Sequence, residues 1–399
     1  MTLQAYRDVM RVRDVQRVLA LSLVMRIPMW AGNIVLTLHV VTSLHRSYGA
    51  AGLLVGVATV AATISGPWRG RRLDQVGLRT AIVPSLVILT VCWSIAPFMG
   101  YWPLLMLASL ANLFIVPSFS IVRQALMHAV DDSRRKTALA VDSVMVEVSY
   151  MIGPALGVLL ATYCNTSWAL FGCEFASIAG GVLMWLVNPP LRTEDDAAAD
   201  EPASSASARS WMNPEVVALL AMSAAATVVL TSTDVGVVAA LRDFGHQPWI
   251  GWELGLWGLG SAVGGFIYGA MHRAVPVALL LGMLAATTLP VALARDAFTI
   301  AILLFVTGLF CAPTITAAVD ALSQVVPERV RGEVLGWHGS AMMAGGAAGA
   351  PLAGVAIDHS GWQGGFLIPS LIGLAVAFVA VVATRARGRT APEPELVAH

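Results

Sequence analysis

Gly70-Arg71-Arg72-Leu73-Asp74-Gln75-Val76-Gly77-Leu78-Arg79 is a basic, polar stretch set between two long apolar runs. The run before it, Gly49 to Arg69, and the run after it, Thr80 to Met99, each have the length of a bilayer-crossing helix, about 20 mostly apolar residues. Two glycines permit a tight return between such helices. The arginines hold the turn at an anionic lipid surface. The stretch therefore reads as a short connection between two membrane spans, and the rest of the chain is counted outward from it.

Apolar runs between polar or Gly/Pro breaks give twelve spans. Spans 1 to 6 are Arg17 to Ser43, Gly49 to Arg69, Thr80 to Met99, Trp102 to Gln124, Thr137 to Tyr163 and Trp168 to Asn188. Spans 7 to 12 are Asn213 to Leu241, Trp249 to Met271, Pro276 to Ala294, Ala297 to Leu322, Arg331 to Ile357 and Gly364 to Thr384. The expected class is an all-α integral membrane protein. Composition agrees: the 399 residues are 57% hydrophobic and 12% charged, with a mean hydropathy of +0.75, where ordinary globular domains carry about 25% charge. A soluble enzyme is excluded, and so is disorder, which needs low hydrophobicity and high charge.

Net charge is zero, from 24 basic and 24 acidic residues; no nucleic-acid partner is implied. The basic residues are nonetheless unevenly placed. All but Arg26, Arg46, Arg242 and Arg295 fall on one side if the amino terminus is cytoplasmic, because short cytoplasmic loops retain Lys and Arg. Both termini are thus expected inside. The polar, basic segment Met1 to Gln16 leads straight into a full-length span, so the first helix is expected to act as its own insertion signal. Arginine in place of lysine, with abundant Ala and Val, suggests a GC-rich bacterial genome and hence the cytoplasmic (inner) membrane.

An acidic, small-residue stretch between spans 6 and 7 reads as a linker. The expected organisation is a six-helix bundle over 1–188, a cytoplasmic linker over 189–212, and a second six-helix bundle with a cytoplasmic tail over 213–399. The halves echo each other. Arg134-Arg-Lys leading to Gly153-Pro-Ala-Leu-Gly157 in span 5 has its counterpart in Arg331-Gly-Glu leading to Ala350-Pro-Leu-Ala-Gly354 in span 11. Parallel six-helix repeats are a transporter construction.

The span 2–3 connection resembles the signature loop of the major facilitator superfamily, through Gly70, Asp74, Gly77 and Arg79; Gln75 and Leu78 depart from it. The resemblance implies the twelve-helix fold of two pseudo-symmetric six-helix bundles, with these four residues as a conformational latch and Asp74 facing a helix amino terminus or Arg79. Span 5 also resembles the exporter motif of that family, through Gly153, Pro154 and Gly157, without its earlier glycines. Ala111 and Asn112 stand where drug/proton antiporters often carry a mid-membrane arginine, so coupling through that residue is not implied.

Small residues four apart let helices approach closely in lipid. Such pairs are Gly52 and Gly56 in span 2, Gly153 and Gly157 in span 5, Gly260 and Gly264 in span 8, and Gly345 and Gly349 in span 11. Gly251 with Gly255, Gly265 with Gly269 and Gly332 with Gly336 stand beside them. In the family, those four helices join the two halves, and the pairs are accordingly expected at the interdomain contact.

Ionisable residues inside a span are costly and point to function. Arg26, Trp30, Asn33 and Thr37 form a helical stripe expected to face a central cavity. Glu147 in span 5 lies at the depth of Arg26, and a buried Arg26–Glu147 pair is expected as a proton-linked switch or substrate anchor; a permanent pair that only fixes spans 1 and 5 is the alternative. Asp234 in span 7 is expected on the same pathway, and Asp142 at the start of span 5 as a helix-terminus charge. Arg123 and Asp320, one repeat apart, are expected to form a cytoplasmic gate. Glu174, Glu253 and Asp358 are expected in water at the outer ends. Trp102, Trp168, Trp249, Trp252 and Trp362 read as an interfacial belt, while Trp30, Trp257 and Trp337 are deeper.

Cys92, Cys164, Cys173 and Cys311 lack metal or redox spacing and read as small buried hydrophobes. Nucleophile, zinc and phosphate-cradling motifs are absent, so neither an enzyme nor an ATP-driven pump is expected. The expected protein is a monomeric secondary transporter needing no cofactor or metal. It exports a small amphipathic or drug-like molecule by alternating access, with the proton as coupling ion. A metabolite or lipid carrier of the same fold, including an importer, is the alternative; a non-transporting receptor or scaffold ranks below it.

Overall fold

The computed structural model describes residues 3–191, 212–271, 275–326 and 328–388. Among them the chain is all-helical, with no strand. Ten runs are long and apolar enough to cross a bilayer: Arg13–Ser43, Tyr48–Gly66, Gln75–Phe98, Tyr101–Ala129, Thr137–Tyr163, Thr166–Val187, Pro214–Asp243, Ala297–Val325, Trp337–Ser360 and Gly364–Ala383. Ile250–Ala270 and the shorter Val277–Leu293 stand where spans 8 and 9 are expected. All twelve spans are therefore helical. A short amphipathic helix, Leu3–Met10, precedes them. Most of the expected linker, 192–211, lies outside the described residues.

Helices dominate because lipid offers no hydrogen bonds to a backbone, so each segment must satisfy its own. Their outward faces carry large apolar side chains, among them Ile64, Val87, Met106, Phe266, Phe298 and Phe378. Side-chain caps close several helix starts: Ser47 accepts from Ala50 N, Asn165 from Ser167 N, Asn213 from Glu215 N and Val216 N, and Asp296 from Thr299 N.

Spans 2 and 3 are almost one object. Tyr48–Ile95 is continuous but for Gly77, whose φ of 74° and ψ of 169° turn the chain back. The connection expected over ten residues is thus mostly helix with one sharp joint, placed at a residue without a Cβ. The side chains of Arg71 and Asp74, and position 70, lie outside the described residues.

Spans 1 to 6 pack mainly among themselves, span 1 lying on spans 5 and 6 and span 3 on span 4. In the second half span 7 lies on spans 11 and 12, and span 8 on span 10. The halves meet through span 2 on span 11 and span 5 on span 8.

Repeat symmetry is visible in the packing. A Cβ placed on Gly153 of span 5 would come within 2.8 Å of the Ile27 carbonyl of span 1; one placed on Gly349 of span 11 would come within 2.8 Å of the Val228 carbonyl of span 7. This corrects the expected role of three of the four glycine pairs. Gly153 and Gly157 lie on span 1, Gly260 and Gly264 on span 10, and Gly345 and Gly349 on span 7, all inside their own half.

Gly52 and Gly56 are the pair that does face the other half. A Cβ on Gly52 would run into the Ala350 backbone, and one on Gly56 would come within 2.7 Å of the Ala347 carbonyl and 2.8 Å of the Pro351 ring. Backbone-to-backbone packing thus serves mainly permanent contacts, and the interface between halves uses Gly251 on Ala155, Gly258 on Met151 and Gly354 on Tyr48 as well. Pro154 is buried inside the span 5 helix, and Pro351 holds the matching place in span 11.

Candidate transport pathway and its switches

The arginine-rich connections lie at one end of the bundle, and the halves are joined toward the other. There Asp358, at the end of span 11, accepts the backbone N–H of Tyr48 at 3.0 Å and of Gly49 at 2.8 Å, at the start of span 2. A carboxylate on a helix amino terminus satisfies orphan donors and the positive end of the dipole together. Arg242, ending span 7, donates to the Tyr48 hydroxyl at 2.9 Å. Asp358 is exposed, as expected, but it is engaged rather than only solvated. Glu253 departs from expectation outright: it is 1% exposed, and neither carboxylate oxygen has a hydrogen-bond partner among the described residues.

Midway along the bundle, Tyr150 of span 5 bridges the halves. Its hydroxyl donates to Asp234 of span 7 at 2.8 Å. Its ring lies edge-on to Trp30, with centroids 5.0 Å apart, and 6.1 Å from Trp257 of span 8. The indole N–H groups of Trp30 and Trp257 are buried without an acceptor among the described residues. Trp30 and Asp234 are thus brought to one place, through a residue that sequence reading passed over. Its signal was position: Tyr150 precedes Gly153 by one helical turn and so shares its face.

Asn33 does not share that place. It lines a cavity inside the first half with Met29, Asn112 and Glu174, while Thr37 donates to the Asn33 carbonyl. The expected stripe therefore splits between two walls of span 1.

Arg26 is paired, with a different acid. Its Nη1 donates to Asp142 Oδ1 at 2.6 Å, both side chains are 0% exposed, and Arg26 also stacks over Phe119 at 4.5 Å. The side chain of Glu147 lies outside the described residues. The reason for Asp142 is directional: helical side chains lean toward the helix amino terminus. Spans 1 and 5 both start at the arginine-rich end, and the long guanidinium of Arg26 reaches back to the level of Asp142. Arg123, 56% exposed, approaches the same carboxylate at 3.6 Å. Asp142 therefore ties spans 1, 4 and 5 together. The expected Arg123–Asp320 gate is not formed here, since Asp320 is exposed and accepts from Gln324 in its own helix at 3.0 Å.

Arg79 donates to the Trp185 and Leu186 carbonyls at 3.3 Å and lies over the Trp185 ring, so the joint between spans 2 and 3 caps the end of span 6. His39 bonds to Thr166 at 2.8 Å. Trp102, Trp168, Trp249 and Trp252 are exposed, whereas Trp362 is buried against Phe244 and Phe366. Cys92, Cys173 and Cys311 are buried and Cys164 is exposed.

Comparison with known proteins follows the same lines. The Major Facilitator Superfamily profile matches residues 18–271 and again 217–398. The multidrug efflux pump Tap of Mycolicibacterium fortuitum is 26% identical over 268 residues, 63% of this chain and 64% of that pump, so the match spans less than two thirds of the relative's length. A bacterial homologue of the human lysosomal transporter Spinster, in an inward-facing and unoccupied conformation, superposes with a TM-score of 0.72 at 12% identity, covering 96% of this chain and 99% of that one. The nucleoside transporter NupG gives 0.72 at 13%, covering 94% and 99%. The human organic anion transporter TETRAN gives 0.59 at 18%, covering 93% and 99%. At these identities the solved structures speak for the fold.

Proposed function

The chain belongs to the major facilitator superfamily, and from that membership we propose that it is a secondary transporter exporting a small amphipathic or drug-like solute by proton antiport. The observation that carries this reading is the polar clasp across the arginine-poor end. Asp358, Tyr48 and Arg242 hold the halves together at the arginine-poor end, while Arg123 and Asp320 at the arginine-rich end each bond within their own half. With the arginine-rich end in the cytoplasm, this is the state that accepts a solute from inside the cell.

The Trp30, Tyr150 and Trp257 rings form an aromatic wall at the point where the halves meet, suited to a flat apolar solute. Asp234 supplies an acidic group on that wall, held across the interface by Tyr150. Rocking the halves parts this hydrogen bond, so protonation of Asp234 and the conformational change act on the same contact. The likeness to a multidrug efflux pump supports the outward direction. The Arg26–Asp142–Arg123 cluster serves as the fixed frame of the first half.

Flux of fluorescent amphipathic compounds in proteoliposomes with an imposed pH gradient tests the reading. Transport is expected to speed up when protons run against the solute. Equal rates with and without the gradient remove antiport.

A further inference from the structure

One carboxylate in the membrane layer has no part in this cycle. Glu174, expected in water at the outer end, sits eight residues, about 12 Å, beyond the start of the span 6 helix Thr166–Val187. A Cβ placed on Gly32 of span 1 would come within 2.6 Å of its Oε1, so the carboxylate occupies the space that glycine leaves. No hydrogen bond or ion pair reaches it from the described residues. It faces a semi-enclosed cavity of about 70 Å³ between spans 1, 3, 4 and 6.

The cavity wall is built for a cation. Asn33, Asn112 and Ser177 bring polar atoms, and Met29 and Trp93 bring a thioether and an indole. Asn112 donates one amide N–H to the Ala108 carbonyl at 3.0 Å, and its amide oxygen has no donor among the described residues. Among the described residues no cationic side chain lines the space. Arg26, on the same span as Gly32, is committed to Asp142. Cys173, next to Glu174 in the chain, packs against Gly32. Spans 3 and 4 contribute no titratable group to the wall. An isolated carboxylate in such surroundings is stable as the neutral acid or beside a cation, and the aromatic and acceptor atoms favour an ammonium group.

We propose that this cavity is a second binding site, taking the ammonium head of a lipophilic amine as an ion pair with Glu174. The exchange balances: the carboxylic acid releases its proton to water, and the amine arrives already protonated, so one positive charge replaces another. The inference deepens the export reading by assigning a substrate class and a place of exchange, but binding itself does not depend on the direction of transport.

The test is calorimetric titration of the purified full-length protein in nanodiscs with benzylamine, and with benzyl alcohol as the neutral counterpart. Titrations in two buffers of different ionisation enthalpy count the protons released. Wild type is expected to bind benzylamine with release of about one proton per site near neutral pH. Glu174→Gln is expected to lose at least tenfold in benzylamine affinity while benzyl alcohol binding stays unchanged. Equal affinity of wild type for the two probes, or benzylamine binding that survives Glu174→Gln and disappears in Asp234→Asn, overturns the proposal. Gradient-driven flux that persists alongside either result leaves the export reading standing without this site.

Discussion

Asp358 reaches across from the second half of the chain to accept the backbone N–H of Gly49, 309 residues away, at 2.8 Å. The contact is charge to helix terminus, so it forms only when span 2 and span 11 are aligned at that end. It functions as a clasp whose closure defines the state seen here.

Removing the clasp should therefore shift the conformational balance rather than unfold the protein. Charge-assisted hydrogen bonds contribute about 1.5–3 kcal/mol each, and water at this exposed end cuts the pair to roughly 1.4 kcal/mol, a tenfold change in an equilibrium. Spin labels on Ser47 and His359 should show Asp358→Ala populating a longer distance about tenfold more than wild type. An unchanged distance distribution would remove Asp358 from the mechanism.

Asp142 carries a different burden. Breaking a buried pair leaves a charge in a dry interior without its main partner, at a cost of about 3–5 kcal/mol. Arg26→Met and Asp142→Leu should each lower the thermal midpoint strongly, and the double variant should recover most of it, because apolar replacement of a whole pair is often neutral. Recovered stability with intact flux would assign the cluster to architecture; recovered stability without flux would give it a part in transport.

The glycines should separate into two classes. Gly264→Ala drives a methyl into the Leu309 backbone inside one half, so detergent stability should fall by about 1–3 kcal/mol, the usual cost of overpacking. Gly52→Ala drives a methyl into the Ala350 backbone across the interface, and Gly56→Ala does the same against Ala347. There the halves can part, and the readout should be the Ser47–His359 distance rather than the melting curve. If variants of both classes melt alike and none moves the labels, the two sets of contacts are equivalent.

Tyr150→Phe keeps the ring against Trp30 and removes the donor to Asp234. That hydrogen bond joins the two halves at the acidic group assigned to proton exchange, so its loss should change the pH dependence of gradient-driven flux. Binding of a flat aromatic solute should change little. A profile that stays in place would detach Asp234 from proton coupling.

Spans were legible because their signal is a one-dimensional excess of apolar residues, needing no knowledge of partners. The repeat was legible because Pro154 and Pro351 punctuate it. Partner choice was not. Depth counting put Glu147, whose side chain lies outside the described residues, level with Arg26; the lean of helical side chains toward their amino termini carries the guanidinium to Asp142. The glycine pairs marked close packing correctly and left its object open, since a small residue permits approach without naming which helix approaches. Tyr150 escaped notice because a tyrosine carries no charge to draw attention, and its value lies in touching Trp30, Trp257 and Asp234 at once. Asp358 looked like a surface acid because its partners are backbone groups, which no side-chain pattern reveals.

The joint at Gly77 has a bearing on how the chain is inserted. At a φ of 74° and ψ of 169° a residue with a side chain is heavily disfavoured. Without that turn, the 48 residues of Tyr48–Ile95 would make a straight rod about 70 Å long, more than twice the ~30 Å of hydrocarbon available. No membrane thickness accommodates such a rod, so a single non-helical residue decides that the chain doubles back, and with it the parity of all ten spans that come after. Saturation mutagenesis of the connection should accordingly find Gly77 the least replaceable of its ten positions.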